Sequence, residues 1–410
     1  MHRHFRLNTF KIFGAELPHN IKLLLVMLFV FDLSWGIIDP LIPLYIKAMV
    51  PNYTLVGVIF AVLNLTVFLA AIPIGDLADR VRPRRLIKIA LVFYAFLGIF
   101  YSFAAKFWQL IIVRSIHGIA NPLLWVSTES FIRQNTPKET NLKAFGWYST
   151  IVNFAVVVGA IIGSFLVLFF NINSLFLLLV PLSLISLLVF YKVIPSEKTA
   201  EEGIKQAIEE IVEKDMVFKR EMKDFFLLGK KALLLGMIMF FISIISYVLY
   251  FVVPLISSDL GIDLSGLMLL YAFLHVPFMF CFLLAGLANR EGKMRMIQIG
   301  LLLMAIVLAI IFFSTESIIL FVILCFVLAF LLALIIPALN SLVTDISPNL
   351  EIGEMTGIYY GIYVLGGTIG PICFGIIGDF YGLKTAFLAS AIIAVIIFVF
   401  ALAFGKKITK

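Results

Sequence analysis

A chain of 410 residues with 62% apolar and only 13% charged positions cannot bury its apolar surface as a water-soluble domain, for which about half and a quarter are usual. Its formal charge of +7 is spread over short polar turns between apolar runs rather than gathered into one basic face, which argues against a nucleic-acid partner. The three cysteines, Cys281, Cys325 and Cys373, all fall within apolar runs and fit neither a disulfide framework nor a metal-ligand spacing.

Each membrane crossing needs about 20 predominantly apolar residues. Runs of that kind occupy 21–46, 53–75, 86–105, 107–133, 144–170, 173–194, 232–257, 264–289, 294–314, 316–342, 356–379 and 384–404. The expected class is therefore an all-α membrane protein of twelve transmembrane helices. With the N-terminus in the cytoplasm, only Lys47, Lys106 and Lys384 of the 31 Lys and Arg face outward and Arg114 lies within a span, leaving 27 on the cytoplasmic side. That asymmetry is the positive-inside signature, so a multi-pass protein of the cell membrane with both termini cytoplasmic is predicted. The first span is too long, and lacks the cleavage pattern, for a signal peptide, and is expected to stay in the membrane.

The first span carries Asp32, Trp35, Gly36 and Asp39, followed by Pro40 and Pro43. The spacing i, i+3, i+4, i+7 places both carboxylates on one helix face. A carboxylate pair would be expelled from lipid, so that face is expected to line an internal cavity. In the fourth span Arg114, His117, Gly118, Asn121, Trp125 and Glu129 repeat the pattern, and the two stripes are expected to share one space. At about 1.5 Å per residue, Asp39 and Arg114 both lie roughly 8–9 Å to the outer side of the midplane. They are expected to pair, with Asp32 near the midplane and Glu129 deep on the cytoplasmic side.

After the second span the chain reads Gly75-Asp76-Leu77-Ala78-Asp79-Arg80-Val81-Arg82-Pro83-Arg84-Arg85. A degenerate copy follows the eighth span, Leu287-Ala288-Asn289-Arg290-Glu291-Gly292-Lys293. These loops resemble the signature loop of the major facilitator superfamily, G-x-L-A-D-R-x-G-R-R, with Arg82 at the usual glycine and Asn289 at the aspartate. Asp79, at a cytoplasmic helix end, is placed to accept hydrogen bonds from another helix's N-terminus and from arginines. Gly75, Asp76, Asp79, Arg80, Arg84, Arg85, Asn289 and Arg290 are therefore the expected inner gating set. A basic topology anchor is the plainer use of the same arginines.

The resemblance extends to Leu110-Ile111-Ile112-Val113-Arg114-Ser115-Ile116-His117-Gly118, similar to the family segment in which a buried arginine takes part in proton coupling. It implies a coupling role for Arg114, and intramembrane carboxylates have the property a proton carrier needs, which adds Asp32, Asp39 and Glu129 as expected coupling residues. Gly361, Gly366-Gly367-Thr368-Ile369-Gly370-Pro371 and Gly375, and more weakly Gly159-Ala160-Ile161-Ile162-Gly163, resemble the glycine-rich segment associated with antiporters. Close packing of helices through small residues explains them nearly as well.

Between the halves, 195–231 is rich in charges of both signs around an apolar stripe, Ile204, Ala207, Ile208, Ile211, Val212 and Met216, the pattern of a surface amphipathic helix. A shift of 211 residues superposes Pro43 on Pro254, Thr136-Pro137 on Ser347-Pro348, Gly146 on Gly357, and Gly159-Ala160 on Gly370-Pro371. Residues 1–194 and 232–410 are thus expected to form two pseudo-symmetric six-helix bundles joined by a cytoplasmic linker, with substrate bound between them. Trp35, His117, Asn121 and Trp125 from the first half, and Tyr247, Tyr250, Asn340 and Tyr363 from the second, are the expected cavity residues. His275 is a further candidate, though a satisfied membrane histidine is the commoner case.

The reading that follows is a secondary transporter, a monomer that moves a small amphipathic organic solute by alternating access. Proton-coupled export leads, and proton-coupled uptake of a sugar, metabolite or peptide is the alternative. A receptor or scaffold built on the carrier fold is a third reading, weakened by the cost of intramembrane charge. No His-Glu-x-x-His, Gly-x-Ser-x-Gly or nucleotide-binding glycine loop occurs, so neither an enzyme nor an ATP-driven pump is supported. No cofactor or metal is expected, and a proton gradient is the expected energy source.

Overall fold

The computed structural model describes residues 17–193, 229–281, 283–284, 291–314, 317–346 and 352–409. Regular structure among them is helical throughout. In chain order the principal helices are α1 (His19–Lys47), α2 (Tyr53–Arg80), α3 (Pro83–Phe103), α4 (Phe107–Asn135), α5 (Lys138–Leu166) and α6 (Ile172–Tyr191). The second half supplies α7 (Lys230–Asp259), α8 (Leu264–Phe280), α9 (Lys293–Ser314), α10 (Ile318–Ile346), α11 (Ile352–Tyr381) and α12 (Thr385–Thr409). All but α8 contain a stretch long and apolar enough to cross a membrane. The described part of α8 runs α-helically to His275 and continues as a 3₁₀ turn over Pro277–Phe280. The expected amphipathic linker stripe, Asn289 and Arg290 lie outside the described residues, as does the side chain of Asp79.

Local chemistry sets the helix limits. Asn52 caps α2 by accepting from Leu55 N at 2.9 Å, Asp263 caps α8 through Gly266 N at 2.8 Å, and Pro83 occupies the first turn of α3, where no amide donor is needed. Gly261 and Gly382 turn the chain after α7 and α11 with φ of 78° and 84°, a region that disfavours a Cβ. The segment Gly75–Arg80, expected to be loop, is the last turn and a half of α2. The polar residues there continue the helix beyond the apolar stretch, with Arg80 Nε 3.1 Å from Asp76 Oδ2 one turn earlier. Extended backbone at Val81 then ends it, and Pro83 opens the next helix.

Helix irregularities follow the internal repeat. α1 tightens to a 3₁₀ turn over Asp39–Leu41, just before Pro43, and α7 loosens to a π turn over Val248–Val252, just before Pro254. Proline has no amide to donate to the preceding turn, so the ladder shifts at both related positions.

Glycines govern the closest approaches. A Cβ on Gly36 would lie 2.3 Å from Val156 O and one on Gly159 2.3 Å from Leu33 O, locking α1 against α5. In the second half a Cβ on Gly366 would lie 2.2 Å from Phe240 O, where α11 meets α7. Between the halves, Gly57 of α2 abuts the Pro371 backbone and Gly375 of α11 abuts that of Tyr53. α5 and α8 form a second contact, through Gly163 and Met268 and through Thr150 Oγ1, which donates to Met279 O at 3.1 Å. Leu69, Phe96, Leu188, Ile319 and Val399 are exposed on the perimeter, as a lipid-facing belt requires.

Candidate functional site

The break in α1 brings its polar stripe against α4. Trp35 stacks on His117 with ring centroids 4.7 Å apart, and Tyr94 of α3 meets both rings edge-on at 5.7 and 5.5 Å. Tyr101 O–H and His117 Nδ1 share a hydrogen bond of 3.1 Å. One turn deeper, Phe31 contacts Tyr94 and Trp125, and Trp125 continues to Tyr148 of α5 at 6.2 Å. Trp35, His117 and Trp125 were legible from their spacing. Tyr94, Tyr101 and Tyr148 were not, because single tyrosines in apolar helices carry no sign of their facing.

Asp32 is buried beside this aromatic group, and its Oδ2 has no hydrogen-bond partner among the described residues. Ser34, two residues on, donates to Phe31 O at 2.5 Å rather than to the carboxylate. Asp39 lies at the break itself and is exposed toward the opposite half, where Tyr271 of α8 donates its hydroxyl to Oδ2 at 3.0 Å.

The expected Asp39–Arg114 pair is not closed in this structure. Arg114, also buried, donates from Nη2 to Phe60 O at 2.8 Å, with its guanidinium 4.7 Å from the Phe60 ring centroid. A carbonyl and a ring face on α2 thus take the place of a carboxylate, an arrangement that suits a planar, weakly hydrated cation. Glu129 is half-buried one turn from Arg133 on its own helix, with Nη2 to Oε2 at 3.3 Å.

The second half meets this site through tyrosines. Tyr247 donates to Asn64 Oδ1 at 2.8 Å, and Asn64 Nδ2 donates to Gly367 O at 2.8 Å, so one buried amide of α2 joins α7 and α11. Gly367 permits this, since a Cβ there would fall 2.4 Å from the Tyr247 ring. Tyr360 of α11 donates to Asn121 Oδ1 at 3.4 Å. Tyr250 packs on Tyr247 and His275, and Tyr271 and Phe278 pack on the same His275 ring. His275 uses Nδ1 on the Tyr271 carbonyl at 3.0 Å. Tyr363 is half-buried one turn before Gly367, whereas Asn340 is exposed on α10. Asn64, Tyr271 and Tyr360 went unnoticed in the sequence. Asn64 had one usable signal, as the amide within an otherwise apolar α2 run.

In the gating segment, Arg84 donates to Tyr191 O at 3.2 Å and Lys88 lies 3.9 Å from the Tyr191 ring centroid, tying α3 to the end of α6. A Cβ on Gly75 would meet no described atom within 4 Å. The tight approach of α2 to α11 is instead at the opposite end of the two helices, at Gly57 and Gly375.

The model of the Major Facilitator Superfamily matches residues 24–306 and 235–409. The chain belongs to that superfamily and has its all-α, multi-pass membrane fold. Among curated relatives it is similar to multidrug resistance protein MdtG of Escherichia fergusonii, with 25% identity over 40% of this chain and 42% of the relative. It is also similar to the multi-drug resistance efflux pump PmrA homolog of Lactococcus lactis, with 30% identity over 34% and 36%. The matched segments thus span about two-fifths of those relatives' length. Among solved structures, a POT family transporter in complex with a thioalcohol-conjugated peptide superposes with a TM-score of 0.79 over 96% of this chain and 97% of that one, at 14% identity. That similarity concerns the fold.

Proposed function

We propose that the protein is a proton-coupled exporter of small amphipathic organic molecules, acting by alternating access between two bundles, 1–194 and 232–410. The segment 195–231 is their cytoplasmic tether, both termini are cytoplasmic, and the working unit is a monomer. The observation that carries the coupling is Asp32, a buried carboxyl with an oxygen left unbonded, set in an aromatic wall. As a bare charge it would cost several kcal/mol, and a bound proton removes that cost. Asp32 therefore has two states of different energy that access to one side or the other can exchange.

The aromatic faces of Trp35, Tyr94, His117, Trp125 and Tyr148 supply large apolar contact with few polar groups, a lining that admits many amphipathic shapes. The relatives named for multidrug resistance and efflux support the outward direction. In this reading Asp39 and Arg114 are partners in the state opposite to the one described, and Glu129 serves the cytoplasmic end of the path.

The test is transport by purified protein in vesicles with an imposed pH gradient, using a panel of fluorescent amphipathic compounds. Accumulation that reverses with the gradient is expected. Absence of net movement for every compound, with correctly inserted protein, would overturn the reading in favour of a receptor or scaffold.

A further inference from the structure

On the face opposite the termini, a carboxylate of one half caps a helix of the other. Asp379, in the last turn of α11, accepts from Tyr53 N at 2.7 Å through Oδ1 and from Thr54 N at 2.8 Å through Oδ2. Thr54 Oγ1 donates to the same Oδ2 at 2.5 Å. The first amides of α2 have no partner within their helix. The Asn52 side chain takes only that of Leu55, so the two before it, of Tyr53 and Thr54, are left to a residue more than 300 positions away.

The same turn is held on two further sides. Tyr53 donates its hydroxyl to Asp259 Oδ2, at the end of α7, at 3.1 Å, and Lys47 Nζ lies 4.3 Å from the Tyr53 ring centroid. Beneath it the backbones of α2 and α11 touch at Gly57 and Gly375. Charge and shape both favour this closure, because a carboxylate complements the positive end of α2 and the glycines let the backbones meet.

From this geometry we infer that Asp379 is a latch, with Tyr53 and Thr54 as its keeper, that holds the face opposite the termini closed and releases when that face opens. The expected Asp79 latch lies at the other end of α2, on the face of the termini. Neither the coupling ion nor the substrate enters this inference.

The test uses the full-length protein with Cys281, Cys325 and Cys373 replaced and spin labels at Phe103 and Phe313, exposed positions at that face in opposite halves. A second pair, at Lys192 and Lys407, reports the other face. Asp379→Asn keeps the size but loses the charge and presents an amide to the α2 amides. It is expected to lengthen the first distance, raising the open population about tenfold, the scale of a charge-assisted hydrogen bond, while the second distance shortens. Asp379→Glu is expected to restore much of the closed population. An unchanged first distance in Asp379→Asn, or lengthening at both faces together, would overturn the latch. Should Asp379→Asn fail to accumulate in the membrane, Thr54→Val, which removes one of the three bonds, is expected to raise the open population about two- to threefold. No shift in that variant would overturn the proposal equally.

Discussion

The Tyr271 hydroxyl lies 3.0 Å from Asp39 Oδ2, so a carboxylate at the break in α1 is bonded to the opposite half of the molecule. Breaking that bond is part of any motion that separates α1 from α8. A hydrogen bond to a charged group contributes about 1.5–3 kcal/mol. Tyr271→Phe removes that contribution from the bonded state, lowering its population about tenfold, and is expected to slow gradient-driven transport by a similar factor with normal insertion, measured as initial rates in vesicles. Wild-type rates would show that the contact is incidental to the cycle.

Asp32→Asn is expected to separate binding from coupling. The amide imitates the protonated carboxyl, so substrate binding and exchange without a gradient should persist while gradient-driven accumulation falls to background. Substrate-induced proton release in weak buffer reads this directly. Release at the unmodified level from Asp32→Asn, and its loss from Asp39→Asn or Glu129→Gln, would move the coupling role to one of those acids.

Arg114 and Asp39 are not joined in this structure, and Arg114 holds the Phe60 carbonyl instead. In a double-mutant cycle on thermal stability, Arg114→Ala and Asp39→Ala are therefore expected to be nearly additive, within about 0.5 kcal/mol. A coupling above about 1.5 kcal/mol would mean that the state dominating in solution closes the pair.

Two glycines with similar clearance should fail differently. Gly36→Val drives a side chain into the Val156 backbone within the first half and is expected to lower stability by about 3 kcal/mol, seen as poor yield and early thermal unfolding. Gly57→Val meets the Pro371 backbone across the halves, where rigid-body separation relieves the clash. It is expected to fold, to abolish transport and to leave the face opposite the termini open to thiol reagents.

Topology is tested with single cysteines at Lys47 and Lys192. An impermeant thiol reagent added to intact cells should label position 47 and spare position 192. The reverse would invert the proposed orientation.

The spans, the two-half repeat and the polar stripes of α1 and α4 were legible in the sequence, because lipid imposes a length, a charge distribution and a helical period that leave direct marks on composition. Pro43 and Pro254 align in the sequence repeat, and the structure shows a helix break just before each, since a missing amide acts locally. The tertiary structure alone decided what each stripe meets. Arg114 turned to a carbonyl on α2 and Asp39 to Tyr271, because a buried charge takes whichever partner the packing brings near, and depth along a helix does not specify rotation about its axis. Asp379 and Tyr53 show the same limit most plainly. Each reads as an ordinary helix-end residue, and their hydrogen bond exists only because glycines at 57 and 375 let two distant helices touch.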